Sequence, residues 1–171
     1  MTSTNKRRQL TLFVSASEAK GIEQIRKTYN PIQHNLIAAH ITLCREDEIE
    51  NWEIIEQNLV SLQQLPIHIQ LDKVERFAAG KGVFIPAKKQ QVAFDKLRKT
   101  ILKGVIEQPR KHHAHLTLMH PRNSTCTDPI FNKIKAVGLP KRIVFDTITL
   151  IEQENGDVWQ KLKTYTIDSN H

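Results

Sequence analysis

A four-residue phrase occurs twice in this chain, as His40-Ile41-Thr42-Leu43 and again as His115-Leu116-Thr117-Leu118. Side chains alternate between the two faces of an extended strand, so His and Thr share one face and the apolar pair takes the other. Two such strands can surround one pocket with two imidazoles and two hydroxyl groups. An unperturbed imidazole titrates near pH ~6.5, so one His can act as general base while the other acts as general acid. The phrase therefore predicts His40 and His115 as catalytic residues. Thr42 and Thr117 are predicted to donate hydrogen bonds to phosphate oxygens.

Each of these residues also has an ordinary structural explanation. A lone His on a strand is more often structural than catalytic, and Thr is a favoured strand residue. With 8 His in 171 residues, about 0.02 copies of the phrase are expected by chance. The duplication therefore favours the catalytic interpretation of the histidines, and the shared face favours phosphate contact by the threonines.

Several basic residues lie near the two phrases in sequence. Arg45 follows the first phrase, Arg122 follows the second, and Lys81 lies between two glycines in a predicted turn. Cations at the rim of a phosphate site can bind flanking phosphates and attract RNA. All three are predicted to bind substrate, with a solvated surface position as the alternative for each.

Aromatic and imidazole side chains complete the predicted site. Phe13 and Tyr29 are candidates to stack a nucleobase, and Phe13 fits the core equally well. His113 is a candidate to line the mouth of the pocket, with simple exposure as its alternative.

Neither a metal nor a cofactor is predicted. His113 and His115 are two residues apart, but no carboxylate stands at ligand spacing beside either phrase. The sequence has no P-loop, because Gly80-Lys81-Gly82 lacks the following Lys-Ser/Thr, and it has no Gly-x-Ser-x-Gly nucleophile elbow.

Composition indicates a globular protein with an anionic partner. A chain of 171 residues is predicted to form one domain. Its formal net charge of +7 favours binding to a polyanion, and nucleic acid is the commonest polyanion in a cell. Two cysteines do not suggest a disulfide framework, and no apolar stretch suggests a membrane span or a signal peptide, so we expect a cytoplasmic protein. The oligomeric state stays open, and a monomer fits the sequence.

The hydrophobic pattern predicts the order β-α-β-α-β-β-α-β-α-β-β. The predicted strands cover 9–15, 36–44, 67–77, 83–86, 114–119, 141–152 and 158–167, and the predicted helices end near residues 29, 65, 106 and 137. Hairpin signals in the later connections favour antiparallel pairing and an α+β fold. Residues 1–8 are predicted to form a disordered basic tail, and residues 9–171 a single domain.

With its paired His-x-Thr-x phrases, the chain resembles the two-histidine (2H) phosphoesterase superfamily, which includes 2′,3′-cyclic phosphodiesterases and RNA 2′,5′-ligases. The strand from Leu10 to Val14 and the stretch from Arg26 to Pro31 also fit the layout of that family. Many members have Pro before each catalytic His, where this chain has Ala39 and Ala114. The resemblance implies two lobes of mostly antiparallel sheet with flanking helices, related by a pseudo-twofold axis, with the active-site cleft between their sheets.

The resemblance also implies an activity. It points to metal-independent hydrolysis of a 2′,3′-cyclic nucleotide or of an RNA terminal cyclic phosphate, with His115 as base and His40 as acid. The alternatives are an RNA 2′,5′-ligase, a hydrolase of 2′,5′-linked oligonucleotides, and a non-catalytic module that binds RNA or nucleotides.

Overall fold

The computed structural model describes residues 3–167, and within them nine strands alternate with five α-helices. The strands are β1 (Lys6–Phe13), β2 (His40–Cys44), β3 (Ile67–Gln70), β4 (Glu75–Arg76), β5 (Val83–Pro86), β6 (His115–Met119), β7 (Arg142–Phe145), β8 (Thr147–Glu154) and β9 (Gln160–Thr166). The helices are α1 (Ala16–Tyr29), α2 (Pro31–Leu36), α3 (Trp52–Val60), α4 (Val92–Ile101) and α5 (Asp128–Lys135), and a 3₁₀ turn covers Glu46–Glu48. None of these helices is long and apolar enough to cross a membrane.

Seven strands form one sheet in the order β4-β5-β6-β2-β1-β8-β9, and β3 pairs with β7 in a second sheet. All of these strand pairs are antiparallel. The predicted α+β class with a mostly antiparallel sheet is therefore confirmed. The two phrase strands, β2 and β6, are neighbours at the centre of the large sheet.

The large sheet consists of two similar halves. In one half β2 pairs with the earlier strand β1, and in the other half β6 pairs with the earlier strand β5. Each pair has one register shift, between Leu10 and Thr11 in β1 and between Val83 and Phe84 in β5. Each half carries one copy of the phrase, as expected for related lobes.

The expectation of a cleft between two separate sheets needs correction. β2 pairs directly with β6 through Ile41 opposite Leu116, so the halves form one continuous sheet. Pairing removes what would otherwise be two unpaired strand edges at the centre of the molecule. The cleft consequently lies over the junction of the two halves.

The alternation predicted for the phrases is confirmed. Ile41, Leu43, Leu116 and Leu118 are at most 1% exposed and belong to the hydrophobic core, while their His and Thr neighbours are only partly buried. Helix α1 packs against β6 and helix α4 packs against β2, so each helix covers the phrase strand of the other half. Burial of this apolar face orients the opposite face towards the cleft.

The predicted tail is partly wrong. Lys6, Arg7 and Arg8 belong to β1 and pair with β8. Opposite charges on neighbouring strands support this pairing, because Arg8 Nε lies 2.7 Å from Glu152 Oε2 and Lys6 Nζ lies 3.8 Å from Glu152 Oε1. Residues 1–2 of the predicted tail and residues 168–171 lie outside the described part of the chain.

Other element boundaries also differ from the prediction. The predicted strand 141–152 divides into β7 and β8, which lie in different sheets. The predicted strand 67–77 divides into β3 and β4 in the same way. Helix α2 was not predicted, although Pro31 stands at its first turn, where the lack of an N–H costs no hydrogen bond.

Candidate active site

The four phrase side chains meet on one face of the sheet. Ile41 lies opposite Leu116, and antiparallel register continued by one residue places His40 opposite Thr117 and Thr42 opposite His115. All four side chains are partly buried. The arrangement therefore puts one imidazole beside one hydroxyl on each side of a local twofold axis.

Both histidines are held in the same way. His40 Nδ1 lies 2.8 Å from the carbonyl oxygen of Ala38, and His115 Nδ1 lies 3.0 Å from the carbonyl oxygen of His113. A carbonyl only accepts, so in both rings Nδ1 carries the proton and donates it. Nε2 of each neutral ring is therefore left with a lone pair for proton transfer. In each case the carbonyl belongs to the residue two positions earlier, so the repeat extends to the orientation of the rings.

Two adjoining cavities cover this face. The smaller, of about 180 Å³, is lined by all four phrase side chains, and the larger has about 650 Å³. The residues that line both are Arg7, Gln9, Thr42, His115, His120, Arg122 and Trp159. Arg45 and Arg8 also line the larger cavity, together with Glu46 and Asp47. Guanidinium groups therefore predominate around the histidines, which suits an anionic ligand.

A model of the 2′-5′ RNA ligase superfamily matches residues 13–157, a range that includes both phrases. The chain belongs to this superfamily. No curated protein matches its sequence significantly.

Several solved structures have the same fold as this chain. Escherichia coli LigT complexed with NADP⁺ has a TM-score of 0.66 at 17% identity, with 95% of this chain and 98% of LigT covered. LigT complexed with 3′-AMP gives a TM-score of 0.64 at 16% identity, with 95% and 98% covered. The protein TT0787 of Thermus thermophilus gives 0.57 at 15% identity, with 96% and 100% covered. At these identities the likeness shows a shared fold.

The three basic residues that the sequence predicts to bind substrate fall into two groups. Arg45 and Arg122 line the cleft, and both are exposed. Lys81 is exposed in the turn between β4 and β5, where its carbonyl accepts a hydrogen bond from the Cys126 amide at 2.7 Å. Lys81 is not among the residues that line the two cavities.

Phe13, Tyr29 and His113 do not line the described cavities either. The Phe13 ring contacts the His40 ring, with 6.1 Å between centroids, and the Lys161 ammonium lies 4.3 Å from the Phe13 centroid. Tyr29 packs against the hydrophobic core. His113 is exposed, and its Nε2 lies 2.9 Å from the carbonyl oxygen of Ala87.

Arg7, Gln9 and Trp159 are cleft residues that the sequence reasoning missed. Arg7 donates a hydrogen bond to Gln153, and its guanidinium lies 5.2 Å from the Trp159 ring centroid. Backward extension of the alternation from Leu10 and Leu12 in β1 would have placed Arg7 and Gln9 on the polar face. The sequence contains no signal for Trp159, which reaches the cleft from the β8–β9 connection.

Burial lowers the pKa of three histidines that line the two cavities, His40, His112 and His120, below the ordinary value of imidazole. Burial, reinforced by the positive charge of Arg26, lowers the pKa of His40 to about 4. Burial, with Arg122 and Arg7 nearby, also lowers the pKa of His120. His120 Nδ1 accepts a hydrogen bond from the Arg122 amide at 3.1 Å, so the proton of the neutral ring is on Nε2. All three rings are therefore neutral in the empty cleft near neutral pH.

The described residues contain no group of three or more His, Cys, Asp or Glu side chains that could hold a metal ion. Cys44 follows the first phrase but is fully buried, and burial raises the pKa of its thiol to about 12. A protonated thiol is a poor metal ligand and a poor nucleophile. Cys44 is therefore a core residue.

Proposed function

We propose that this protein hydrolyses cyclic phosphates, either a 2′,3′-cyclic nucleotide or the cyclic phosphate at an RNA end, by paired-histidine acid–base catalysis. The observation that carries the proposal is the placement of His40, Thr42, His115 and Thr117 on one face, with both rings held through Nδ1. This geometry leaves two proton-exchanging nitrogens and two hydroxyl donors for one phosphate group.

In the proposed reaction the cyclic phosphate binds in the cleft over the junction of β2 and β6. His115 Nε2 takes a proton from a water molecule while the water oxygen attacks phosphorus. The bond between phosphorus and one ribose oxygen breaks, and His40 Nε2 gives its proton to that oxygen. Thr42 and Thr117 donate hydrogen bonds to the non-bridging oxygens, so positioning and charge stabilisation assist the step. The product is a phosphomonoester on the other ribose oxygen.

His40 must be protonated to act as the acid, although its pKa is about 4 in the empty cleft. The bound phosphodiester places a negative charge beside the imidazole, and an opposite charge nearby favours the protonated form. Substrate binding is therefore expected to raise the pKa of His40. The reaction needs one proton on the histidine pair. The pH dependence of the rate therefore reflects the apparent pKa values of the two histidines together.

This protonation scheme predicts a bell-shaped pH profile. Because kcat/KM reports the free protein, protonation of His40 near pH 4 is expected to contribute to its acidic limb. The acidic limb of kcat is expected at higher pH, because bound phosphate raises the pKa of His40. Steady-state rates measured with circular dichroism at each pH test this result. A profile that is flat between about pH 5 and pH 9 contradicts paired acid–base catalysis.

Arginines at the rim support an RNA end as substrate. Arg45 and Arg122, together with Arg7, are proposed to bind phosphates next to the cyclic phosphate. Trp159, which lines both cavities beside Arg7, is proposed to contact a nucleobase. LigT has been crystallised with 3′-AMP and with ATP, which supports nucleotide binding by this related fold.

Ligation is the second candidate function, favoured by the superfamily to which the chain belongs. A histidine pair that catalyses hydrolysis also catalyses the reverse proton transfers when a ribose hydroxyl replaces water. A hydrolase of 2′,5′-linked oligonucleotides would use the same pair. A binding module without turnover is the remaining alternative.

The test is hydrolysis of 2′,3′-cyclic AMP and of a short RNA with a 2′,3′-cyclic phosphate end, both in excess EDTA. Turnover of either substrate, with separation of 2′- and 3′-phosphate products by chromatography, supports the proposal and identifies the bond that breaks. Turnover that needs an added metal ion, or none on either substrate, contradicts it. Joining of two RNA ends in the same reactions would instead support the ligase.

A further inference from the structure

The junction between the two phrase strands depends on side chains as well as on the backbone. Within residues 3–167, Ile41 opposite Leu116 is the single Cα pair that joins β2 to β6. The next carbonyl along β2, that of Thr42, lies 3.1 Å from His112 Nε2, and the carbonyl of Leu43 accepts a hydrogen bond from Arg98. Beyond the Ile41–Leu116 pair, these two carbonyl groups of β2 therefore form hydrogen bonds with side chains of the second half.

His112 is itself held firmly. Its side chain is buried, with the residue 5% exposed, and its ring stacks on Phe94 with 6.0 Å between centroids and 27° between planes. Its carbonyl accepts a hydrogen bond from Gln91 Nε2 at 2.7 Å, and the Ala114 amide donates to Gln91 Oε1 at 2.9 Å. A single buried amide therefore fixes the segment that carries His112 and leads into β6.

We propose that His112 is a positioning residue that sets the spacing of the two phrase strands by donating a hydrogen bond to the Thr42 carbonyl. This inference rests on the proposed function. The imidazole of His112 contacts the backbone of Thr42 and is near the ring of His115, with 6.3 Å between the two ring centroids. His112 also lines the larger cavity, but its Nε2 is occupied by the Thr42 carbonyl, so its proposed role acts through the phrase residues.

The argument for an effect on rate is geometric. In-line attack needs the two catalytic imidazoles on opposite sides of phosphorus, and a displacement of about 1 Å can cost about 100-fold in rate. One Cα pair leaves the angle and distance between β2 and β6 poorly defined. A donor at the Thr42 carbonyl removes that freedom next to the phosphate site.

The test compares His112→Leu with His112→Gln. Leu fills much of the space without a donor, whereas the Gln side-chain amide can reach the same carbonyl. For His112→Leu, kcat is expected to fall by about 10- to 100-fold with little change in KM, and His112→Gln is expected to recover most of the loss. His68→Leu is the matched control, because His68 is exposed on β3 and distant from the cleft.

Thermal unfolding separates positioning from folding. The inference is overturned if His112→Leu keeps the kcat of the wild type, or if Leu and Gln lower kcat equally. It is also overturned if the lost activity matches the fraction of protein that is unfolded.

A binding readout keeps this test independent of turnover. Titration of the wild type with inorganic phosphate, followed by NMR of ring nitrogens in ¹⁵N-histidine protein, is expected to shift His40 and His115 together. In His112→Leu we expect binding of similar strength but shifts that differ between the two rings. If the wild type has no turnover but shows this behaviour, the proposed function fails and the positioning role stands. Identical titrations of wild type and His112→Leu overturn the positioning role.

Discussion

Replacing either His40 or His115 with Ala is expected to lower kcat/KM for a cyclic phosphate by about 10²- to 10⁴-fold. The proposed mechanism needs a base and an acid in the same step, so loss of either removes one proton transfer. Each ring is partly buried, and its one hydrogen bond within the protein joins it to a carbonyl two residues earlier. The fold should therefore tolerate both changes, and circular dichroism together with thermal unfolding verifies this.

The matched control is His68→Ala, which removes an exposed imidazole from β3 and should leave kcat/KM unchanged. Loss of turnover in both phrase variants, with unchanged folding, supports the two-histidine mechanism. Full activity of either variant would contradict it. Nucleotide affinity that survives in both variants, with no turnover by the wild type, would indicate a binding module.

A second large effect is expected from Arg98→Met, this time on stability. Arg98 and Glu48 are each 2% exposed, and Arg98 Nη2 lies 2.6 Å from Glu48 Oε2. Arg98 also donates to the carbonyl of Leu43, while Glu48 accepts a hydrogen bond from the Arg45 amide at 2.8 Å. The pair thus connects α4 to the end of β2 and to the 3₁₀ turn.

Removal of one partner from a buried ion pair leaves the other charge poorly compensated, here with Arg110 Nε 3.6 Å from Glu48 Oε2, and we expect Arg98→Met to reduce the free energy of unfolding by about 3–5 kcal/mol. Burial alone would raise the pKa of Glu48, but the bonds from Arg98 and the Arg45 amide hold it below its ordinary value. The stabilisation by ionised Glu48 is therefore present above the ordinary carboxyl pKa and is lost as pH falls through the lowered one. Urea denaturation at neutral pH measures the change.

Two control variants test whether the buried ion pair causes the loss of stability in Arg98→Met. Lys163→Met removes an exposed cation whose Nζ lies 2.7 Å from Glu56 Oε1, and exposed pairs contribute at most about 1 kcal/mol. The double variant Arg98→Met with Glu48→Leu removes both buried charges and is expected to regain part of the stability that Arg98→Met loses. A loss from Arg98→Met no larger than that from Lys163→Met would show that the buried pair is not a major source of stability.

The arrangement of the four phrase side chains could be predicted from the sequence because strand geometry is local. An alternation of period two determines which side chains share a face, so the phrase alone placed His and Thr opposite the apolar core residues. The same rule, stopped at Gln9, missed Arg7, because a run of basic residues was interpreted as a solvated tail. The strand that contains these basic residues pairs with β8, where Glu152 contacts Arg8. Glu152 is far from Arg8 along the chain, so a local pattern does not reveal this contact.

Features that depend on long-range contacts were not predictable in this way. Pairing of β2 with β6 turned two expected sheets into one, and no local pattern specifies that register. Trp159 reaches the cleft through the Arg7 contact and through its amide, which donates to the Leu36 carbonyl at 3.0 Å. Tyr29 and His113 precede the phrases in sequence and Lys81 lies in the predicted turn, but turns and helix packing direct all three away from the cleft.

The near-twofold symmetry of the four phrase residues has a consequence for the polarity of the substrate. A symmetric pair of imidazoles does not by itself distinguish the 2′ from the 3′ oxygen. A cyclic phosphate bound in the reverse orientation would contact equivalent groups. The orientation of the bound substrate must therefore be set by the residues around the four phrase side chains, which are not symmetric. Arg7 and Gln9 on β1 and Trp159 after β8 all lie on the side of the first half. An RNA strand that extends over that side would enter in one orientation, and the rim rather than the histidines would select the leaving oxygen.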